Sequence, residues 1–202
     1  MNLNNITLTF FNIDLECMKE YFIYAIGDEY SVCRINGYKD SISNYYIQQY
    51  QASQVKFLLF SPSDNPCTTV LFTNVIDGYI NLIKYVSKKC NLEYYHISIS
   101  DDMSQFMKAY HFQYYSLSKK RNILCYQDPQ WVFFEEGQAL WFENTTLYKQ
   151  RIKKNRLNKD IILEYLKSLG WVLEKEDFWL PVNWFYEFSK KEAAGSLDQK
   201  NC

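Results

Sequence analysis

The strongest constraint on the fold is a series of strand-like runs joined by very short connectors. Lys119-Lys120-Arg121 and Asp128-Pro129-Gln130 separate the last three of these runs. Antiparallel neighbours need only a short turn, whereas parallel strands need a crossover of a dozen or more residues, so the pattern predicts an antiparallel meander. The runs are rich in Tyr, Ile, Phe and Val, and they cover residues 92–100, 110–116, 122–127 and 131–135.

The first half of the chain combines further strand candidates with helical patterns. Short apolar runs predict strands at 6–11, 30–35, 45–49, 55–60 and 68–73, and the polar breaks within 30–60 favour a second meander there. Spacing of apolar residues and start signals predict helices at 15–26, 80–89, 145–155 and 158–169. The expected fold is therefore α+β, with a mostly antiparallel twisted sheet flanked by about four helices.

The chain is long enough to bury a core of its own. Its 202 residues are 48% apolar and 22% charged, which is typical of a globular domain. We expect a single domain over 1–189 and a flexible C-terminal tail over 190–202, where Leu197 is the one bulky apolar residue. The first residues do not resemble a signal peptide, no apolar stretch reaches the ~20 residues of a membrane span, and the cysteines are widely spaced. A soluble cytoplasmic protein with reduced thiols is expected.

Residue types and spacings argue against the common catalytic sites. His96 and His111 are the two histidines, and neither lies at metal-ligand spacing from other strong ligands. The six glycines never cluster as a phosphate-binding loop requires, and there is no nucleophile elbow. The sequence predicts no catalytic residue, no metal and no cofactor, and it favours a binding protein over an enzyme. A site assembled from scattered residues is the alternative that spacing leaves open.

Aromatic residues are unusually frequent, with 18 Tyr, 14 Phe and 5 Trp. Tyr and Trp combine a large apolar area with a polar group, so such an excess is typical of recognition surfaces. The alternative is codon usage, since the chain is also rich in Asn, Ile and Lys. Burial of the aromatic residues distinguishes these two interpretations.

One basic segment stands out in a chain whose net charge is −1. If residues 145–155 are helical, Lys149, Lys153 and Arg156 share one face and form a candidate patch for anions or nucleic acid. A solvated helix face is the alternative, because Glu135, Glu136 and Glu143 are close enough in sequence to neutralise it. The near-zero net charge restricts any nucleic-acid role to such a local patch.

Two aromatic segments suggest a family resemblance. Residues 131–144 read WVFFEEGQALWFEN and residues 162–171 read ILEYLKSLGW. In these segments the chain resembles bacterial immunity proteins, which neutralise a cognate toxin. The resemblance implies a non-catalytic protein-binding protein that occludes the toxin's active site with aromatic anchors and complementary charges. The alternative is a nucleic-acid-binding accessory protein that uses the basic region 145–159. Candidate partner-binding residues are Asp101, Asp102, Trp131, Glu135, Glu136 and Trp141.

Overall fold

In the part of the chain that the structure describes, the strand-forming runs assemble into one antiparallel sheet of nine strands. The computed structural model describes residues 3–37, 42, 55–75, 77–101 and 108–191. The strand order is β2-β9-β3-β4-β1-β5-β6-β7-β8, which confirms the predicted large antiparallel sheet. The strands are β1 (Asn5–Phe11), β2 (Tyr30–Asn36), β3 (Lys56–Pro62), β4 (Thr69–Thr73), β5 (Tyr94–Ser100), β6 (Ala109–Tyr115), β7 (Lys120–Asp128), β8 (Gln130–Gly137) and β9 (Pro181–Lys190).

The two halves of the sheet are connected differently. Strands β5 to β8 follow one another in space as they do in sequence, which confirms the predicted meander. In the other half the last strand, β9, lies between β2 and β3, so the meander predicted across 30–60 is wrong. Aromatic side chains of β9 favour this insertion, because Phe188 stacks on Phe57 of β3 with ring centroids 4.6 Å apart. The predicted strand 45–49 and tail residues 192–202 lie outside the described residues.

Three α-helices are present among the described residues, one fewer than predicted. They are α1 (Leu15–Ile26), α2 (Ile80–Cys90) and α3 (Lys159–Ser168). Asp14 caps α1 and Asn158 caps α3, each side chain accepting a backbone hydrogen bond from the first turn.

The helix predicted over 145–155 is wrong. This segment forms two single 3₁₀ turns, Leu147–Lys149 and Lys153–Asn155, and Gln150 and Ile152 between them are extended. Two features of the segment disfavour a helix. Ile152, one turn after the buried Tyr148, is 53% exposed, so no continuous apolar face exists to bury. A helix would also place the like charges of Lys149 and Lys153 beside each other.

Aromatic side chains fill the core on both faces of the sheet. One face packs against α3 and the segments around it, where Phe10 stacks on Trp171 at 4.4 Å. The other face packs against α1 and α2, where Phe22 contacts Phe57. Among the described residues, eleven of the twelve largest fully buried side chains are Tyr or Phe, and the twelfth is Arg121. Much of the aromatic excess therefore builds the interior.

Helices α1 and α2 cover only part of their face of the sheet. The buried residues beneath them come from β1 to β5 and β9, and none comes from β6, β7 or β8 in the part of the chain that the structure describes. We call this uncovered area the open face. Cross-strand pairing places His111, Leu124 and Phe134 side by side on it.

A pair of histidines lies at the border between the covered area and the open face. His96 is buried, its Nδ1 lies 2.8 Å from Thr9 Oγ1, and its ring centroid is 5.7 Å from that of His111. His111 in turn contacts Asn122 Oδ1 through Nε2 at 2.7 Å. Burial, with the neighbouring His111, lowers the pKa of His96 to about 3, and burial also lowers the pKa of His111.

Acidification is therefore expected to destabilise the fold through His96. In the unfolded chain this imidazole takes up a proton near its ordinary pKa of about 6.5, whereas the folded state keeps it neutral to about pH 3. The unfolded state then binds more protons, so His96 alone should lower the free energy of unfolding by about 2 kcal/mol between pH 7 and pH 5. Urea unfolding of the wild type and of His96→Gln at both pH values measures this loss. The pH-dependent loss should be smaller in the variant, and equal losses would contradict the assignment.

Candidate functional site

A buried arginine organises the end of the sheet where β7 begins and β8 ends. The side chain of Arg121 is 1% exposed and that of Glu143 is 0% exposed. The Nε of Arg121 lies 3.0 Å from both carboxylate oxygens of Glu143, and Nη2 lies 2.7 Å from Oε2. Nη2 also donates to Glu135 at 2.6 Å, and Nη1 donates to the backbone carbonyl of Gly137 at 2.9 Å. These bonds give the guanidinium one fully buried and one partly exposed carboxylate partner.

Glu143 links this arginine to the rest of the α3 face. Its Oε1 accepts the backbone N–H of Leu140 at 2.8 Å, and its Oε2 accepts the hydroxyl of Tyr148 at 2.8 Å. The hydroxyls of Tyr148 and Tyr165 are also 2.8 Å apart, and Tyr165 belongs to α3. A continuous hydrogen-bonded path therefore runs from β7 through the segment 138–158 to α3.

In this network the guanidinium of Arg121 stays charged, and the phenols of Tyr148 and Tyr165 stay neutral. Burial alone would lower the pKa of Arg121, but hydrogen bonds to Glu143 and Glu135 outweigh it and raise the pKa, so the guanidinium stays charged. Burial together with the bond to Tyr165 raises the pKa of Tyr148, and burial raises the pKa of Tyr165 to about 12. Both phenols are neutral hydrogen-bonding groups at physiological pH.

Two of the three carboxylates that were expected to neutralise the basic segment 149–156 are engaged in this network instead. Glu143 and Glu135 both bind Arg121. Within the described ranges, no ion pair joins a carboxylate to the basic residues between 149 and 154. The exposed basic side chains of this segment are Lys149, Arg151, Lys153 and Lys154.

Arg156 does not belong to the same patch, and this corrects the predicted face of Lys149, Lys153 and Arg156. It is half-buried, its Nε donates to the carbonyl of Gln150 at 2.7 Å, and its guanidinium lies 5.4 Å from the ring centroid of Phe133. Because residues 145–155 are not a helix, the three side chains share no helical face. Arg156 fixes the local backbone, and Lys149 and Lys153 lie in two separate 3₁₀ turns.

Strand β8 is one edge of the sheet. It pairs with β7 over eight consecutive residue pairs without a bulge, and no other described strand pairs with its outer side. Val132, Phe134 and Glu136 project onto the open face, and Phe134 is 45% exposed. Trp131 and the residues that alternate with it project toward the α3 face. This edge and its open-face side chains form the candidate site, which we call the β8 edge.

The predicted partner-binding residues divide into two groups. Asp101 and Trp131 have structural partners, because Asp101 accepts the hydroxyl of Tyr110 at 2.6 Å and Trp131 stacks on the ring of Tyr110. Glu135 is bound to Arg121, and Asp102 lies outside the described residues. The two exposed residues that these contacts do not involve are Glu136, on the open face, and Trp141, which is 80% exposed just after β8.

Sequence reasoning missed the two residues that define this region, Arg121 and Phe134. Arg121 sits in a run of three basic residues that suggests a solvated turn, and Phe134 follows another Phe in a strand of unknown position. The alternation within WVFFEE was the available signal, since it places Val132, Phe134 and Glu136 on one side.

The described residues contain no group of three or more His, Cys, Asp or Glu side chains that could hold a metal ion. None of their helices combines the length and apolar character needed to cross a bilayer. Comparison of the chain with models of protein families, with curated proteins and with solved structures finds no match.

Proposed function

We propose that this chain is a non-catalytic protein-binding protein that engages its partner through the β8 edge. The observation that carries the proposal is that β8 pairs only with β7 among the described strands and contains no Lys, Pro or bulge. Natural edge strands are usually protected by Lys, Pro, bulges or short length. Strand β8 is eight residues long, contains neither Lys nor Pro, and stays in register with β7 throughout.

The partner binds by adding an extended segment to β8. Main-chain hydrogen bonds supply affinity in this mode, and alternate side chains supply specificity. The open face offers Val132 and Phe134 to apolar side chains of the partner and Glu136 to a Lys or Arg. Trp141, just beyond the strand, provides a large exposed aromatic contact.

The resemblance of residues 131–171 to immunity proteins gives this proposal its more specific form. In that form the partner is a toxin, and the bound chain covers its active site so that substrate cannot enter. The proposal then expects the purified chain to have no enzymatic activity and to inhibit the partner at equal molar amounts.

A charge placed at the exposed centre of β8 should abolish partner binding without unfolding the chain. Phe134→Lys keeps the strand but introduces the residue that protects natural edges, and we expect at least a tenfold loss of affinity. Tyr85→Lys is the matched control, because Tyr85 is similarly exposed on α2. We purify the proteins that bind to the wild type and to the control but not to Phe134→Lys. Calorimetry then measures the affinity of these proteins for each form of the chain.

Amide hydrogen exchange of the reconstituted complex tests the binding mode directly. The proposal expects amides of Gln130–Gly137 to gain protection in the complex. If these amides exchange as fast in the complex as in the free chain, the β8 edge is not the binding site. The same conclusion follows if the partner binds Phe134→Lys as tightly as it binds the Tyr85→Lys control.

The exposed basic segment favours nucleic-acid binding as a second candidate function. Lys149, Arg151, Lys153 and Lys154 are exposed, and no described carboxylate pairs with them. Four such contacts to single-stranded phosphates predict that affinity falls about 50-fold between 50 and 200 mM salt.

Fluorescence anisotropy with a labelled single-stranded RNA measures this binding. The double variant Lys153→Glu, Lys154→Glu should weaken it at least tenfold, because two attractive charges become repulsive. Lys84→Glu, Lys88→Glu makes the same change of charge at exposed positions of α2 and should have a much smaller effect. Equal losses in both double variants, or binding that does not respond to salt, would exclude this function.

A further inference from the structure

The residue pattern of β8 is complementary to itself in an antiparallel pair. A two-fold axis perpendicular to the sheet brings the β8 edges of two copies together in antiparallel orientation and keeps both open faces on the same side. Residues directly opposite each other in such a pair project onto the same face. The two strands can therefore slide past each other only in steps of two residues, because a slide of one residue would oppose side chains of different faces.

One register of this pair matches like with like. It is centred on Phe133, which lies opposite Phe133 of the second copy, and it pairs every residue of β8 except the last. On the open face Phe134 lies opposite Val132 of the second copy, and the two-fold axis produces this apolar pair twice. At each end the exposed Glu136 lies opposite the exposed Gln130 of the second copy, whose amide can donate to the carboxylate. No two carboxylates of β8 are directly opposite each other in this register.

The neighbouring registers are less favourable. A slide of two residues in one direction places Glu136 opposite Asp128 of the second copy, and like charges directly opposite each other are destabilising. A slide of two residues in the other direction places both Glu135 and Glu136 opposite apolar side chains. The register centred on Phe133 is therefore the one that the residue pattern favours.

The other edge of the sheet, β2, is a poorer match for β8. Successive strands of the sheet are antiparallel, so β2 and β8, which are the first and the last of nine, run in the same direction. Copies that extend the sheet by simple translation would pair β8 with β2 in parallel, which is less stable per residue, and would leave free edges at both ends. Pairing of β8 with itself is antiparallel and closes after two copies.

We propose that β8 pairs with β8 of a second copy of this chain, in the register centred on Phe133, and that the free chain thereby forms a two-fold dimer. Strand β8 has 8 residues, so the contact is about 25 Å long. Such a contact covers less than the ~800 Å² per copy of a standard interface. The dimer is therefore reversible, with a dissociation constant in the micromolar range.

The dimer occupies the edge that a binding partner would use. It holds the β8 edge closed until a partner displaces the second copy, and this consequence rests on the function proposed above. Self-pairing itself depends only on the residues of β8.

Charges placed at Gln130 test both the dimer and its register. Sedimentation equilibrium of the purified chain between about 5 and about 500 µM measures the dissociation constant. We expect Gln130→Lys to tighten the dimer about fivefold, because two Lys–Glu pairs form across the axis, and Gln130→Glu to weaken it about fivefold. Lysine on an edge strand ordinarily prevents pairing, so a gain from Gln130→Lys is specific to this register.

Two further sets of variants control this measurement. Adding Glu136→Gln to Gln130→Lys should remove the gain, because the lysine then has no carboxylate opposite it. Asn81→Lys and Asn81→Glu make the same changes of net charge at an exposed position of α2 and should leave the dissociation constant unchanged. A wild type that sediments as a monomer up to about 500 µM would overturn the proposal. Equal responses of the Gln130 and Asn81 variants, or shifts of Gln130→Lys and Gln130→Glu in the same direction, would also overturn it.

Failure of the dimer and failure of the proposed function give different results. The sedimentation experiment contains no partner, so a monomeric chain would leave the proposed function standing. Proteins purified through the comparison with Phe134→Lys are then added to the dimer, and we expect complexes that contain one copy of the chain. A complex that keeps the two copies paired through β8 would instead contradict the use of the β8 edge by the partner.

Discussion

The buried ion pair between Arg121 and Glu143 is the interaction on which the α3 face depends. Removing two charges from water is costly, and their attraction compensates only where the geometry is good and the remaining polar atoms are bonded. Both conditions hold here, because the guanidinium also binds Glu135 and Gly137 and the carboxylate also binds Leu140 and Tyr148. The pair therefore stabilises one arrangement of the segment 138–158. Loss of Arg121 leaves Glu143 as an uncompensated buried charge, and loss of Glu143 leaves Arg121 with only the partly exposed Glu135.

This arrangement has consequences for both candidate functions. The bonds from Arg121 to Glu135 and to the backbone at Gly137 fix the end of β8, and the strand stays in register with β7 up to that end. The same bonds occupy the carboxylates that would otherwise neutralise Lys149 and Lys153. One buried pair thus accounts for an extended edge on one side and an exposed basic segment on the other.

Local sequence signals predicted the elements whose partners are close in sequence. Alternation and short connectors were enough for β5 to β8, and apolar spacing was enough for α1, α2 and α3. The insertion of β9 between β2 and β3 could not be predicted in this way, because it depends on stacking between residues as distant as Phe57 and Phe188. The segment 145–155 was predicted to be helical because charge and spacing do not reveal that Ile152 has no core to face.

The sites were harder to predict than the fold for the same reason. Arg121 lies in a run of three basic residues, which is the sequence context of a solvated turn. Only its position at the start of β7 brings it to Glu143. The register shift at Ser61 arises from the pairing of β3 with a strand 120 residues later in the chain, at Pro181. No spacing within a short window carries that information.

The free energy of unfolding of Glu143→Gln, compared with that of Glu135→Gln, tests the central role of the buried pair most directly. Both variants neutralise a carboxylate that binds Arg121, but only Glu143 is fully buried. The buried pair predicts a loss of about 3–5 kcal/mol for Glu143→Gln. For the partly exposed Glu135→Gln it predicts a loss of less than about 1 kcal/mol. Losses of equal size in the two variants, or a stability of Glu143→Gln within 1 kcal/mol of the wild type, would contradict this account.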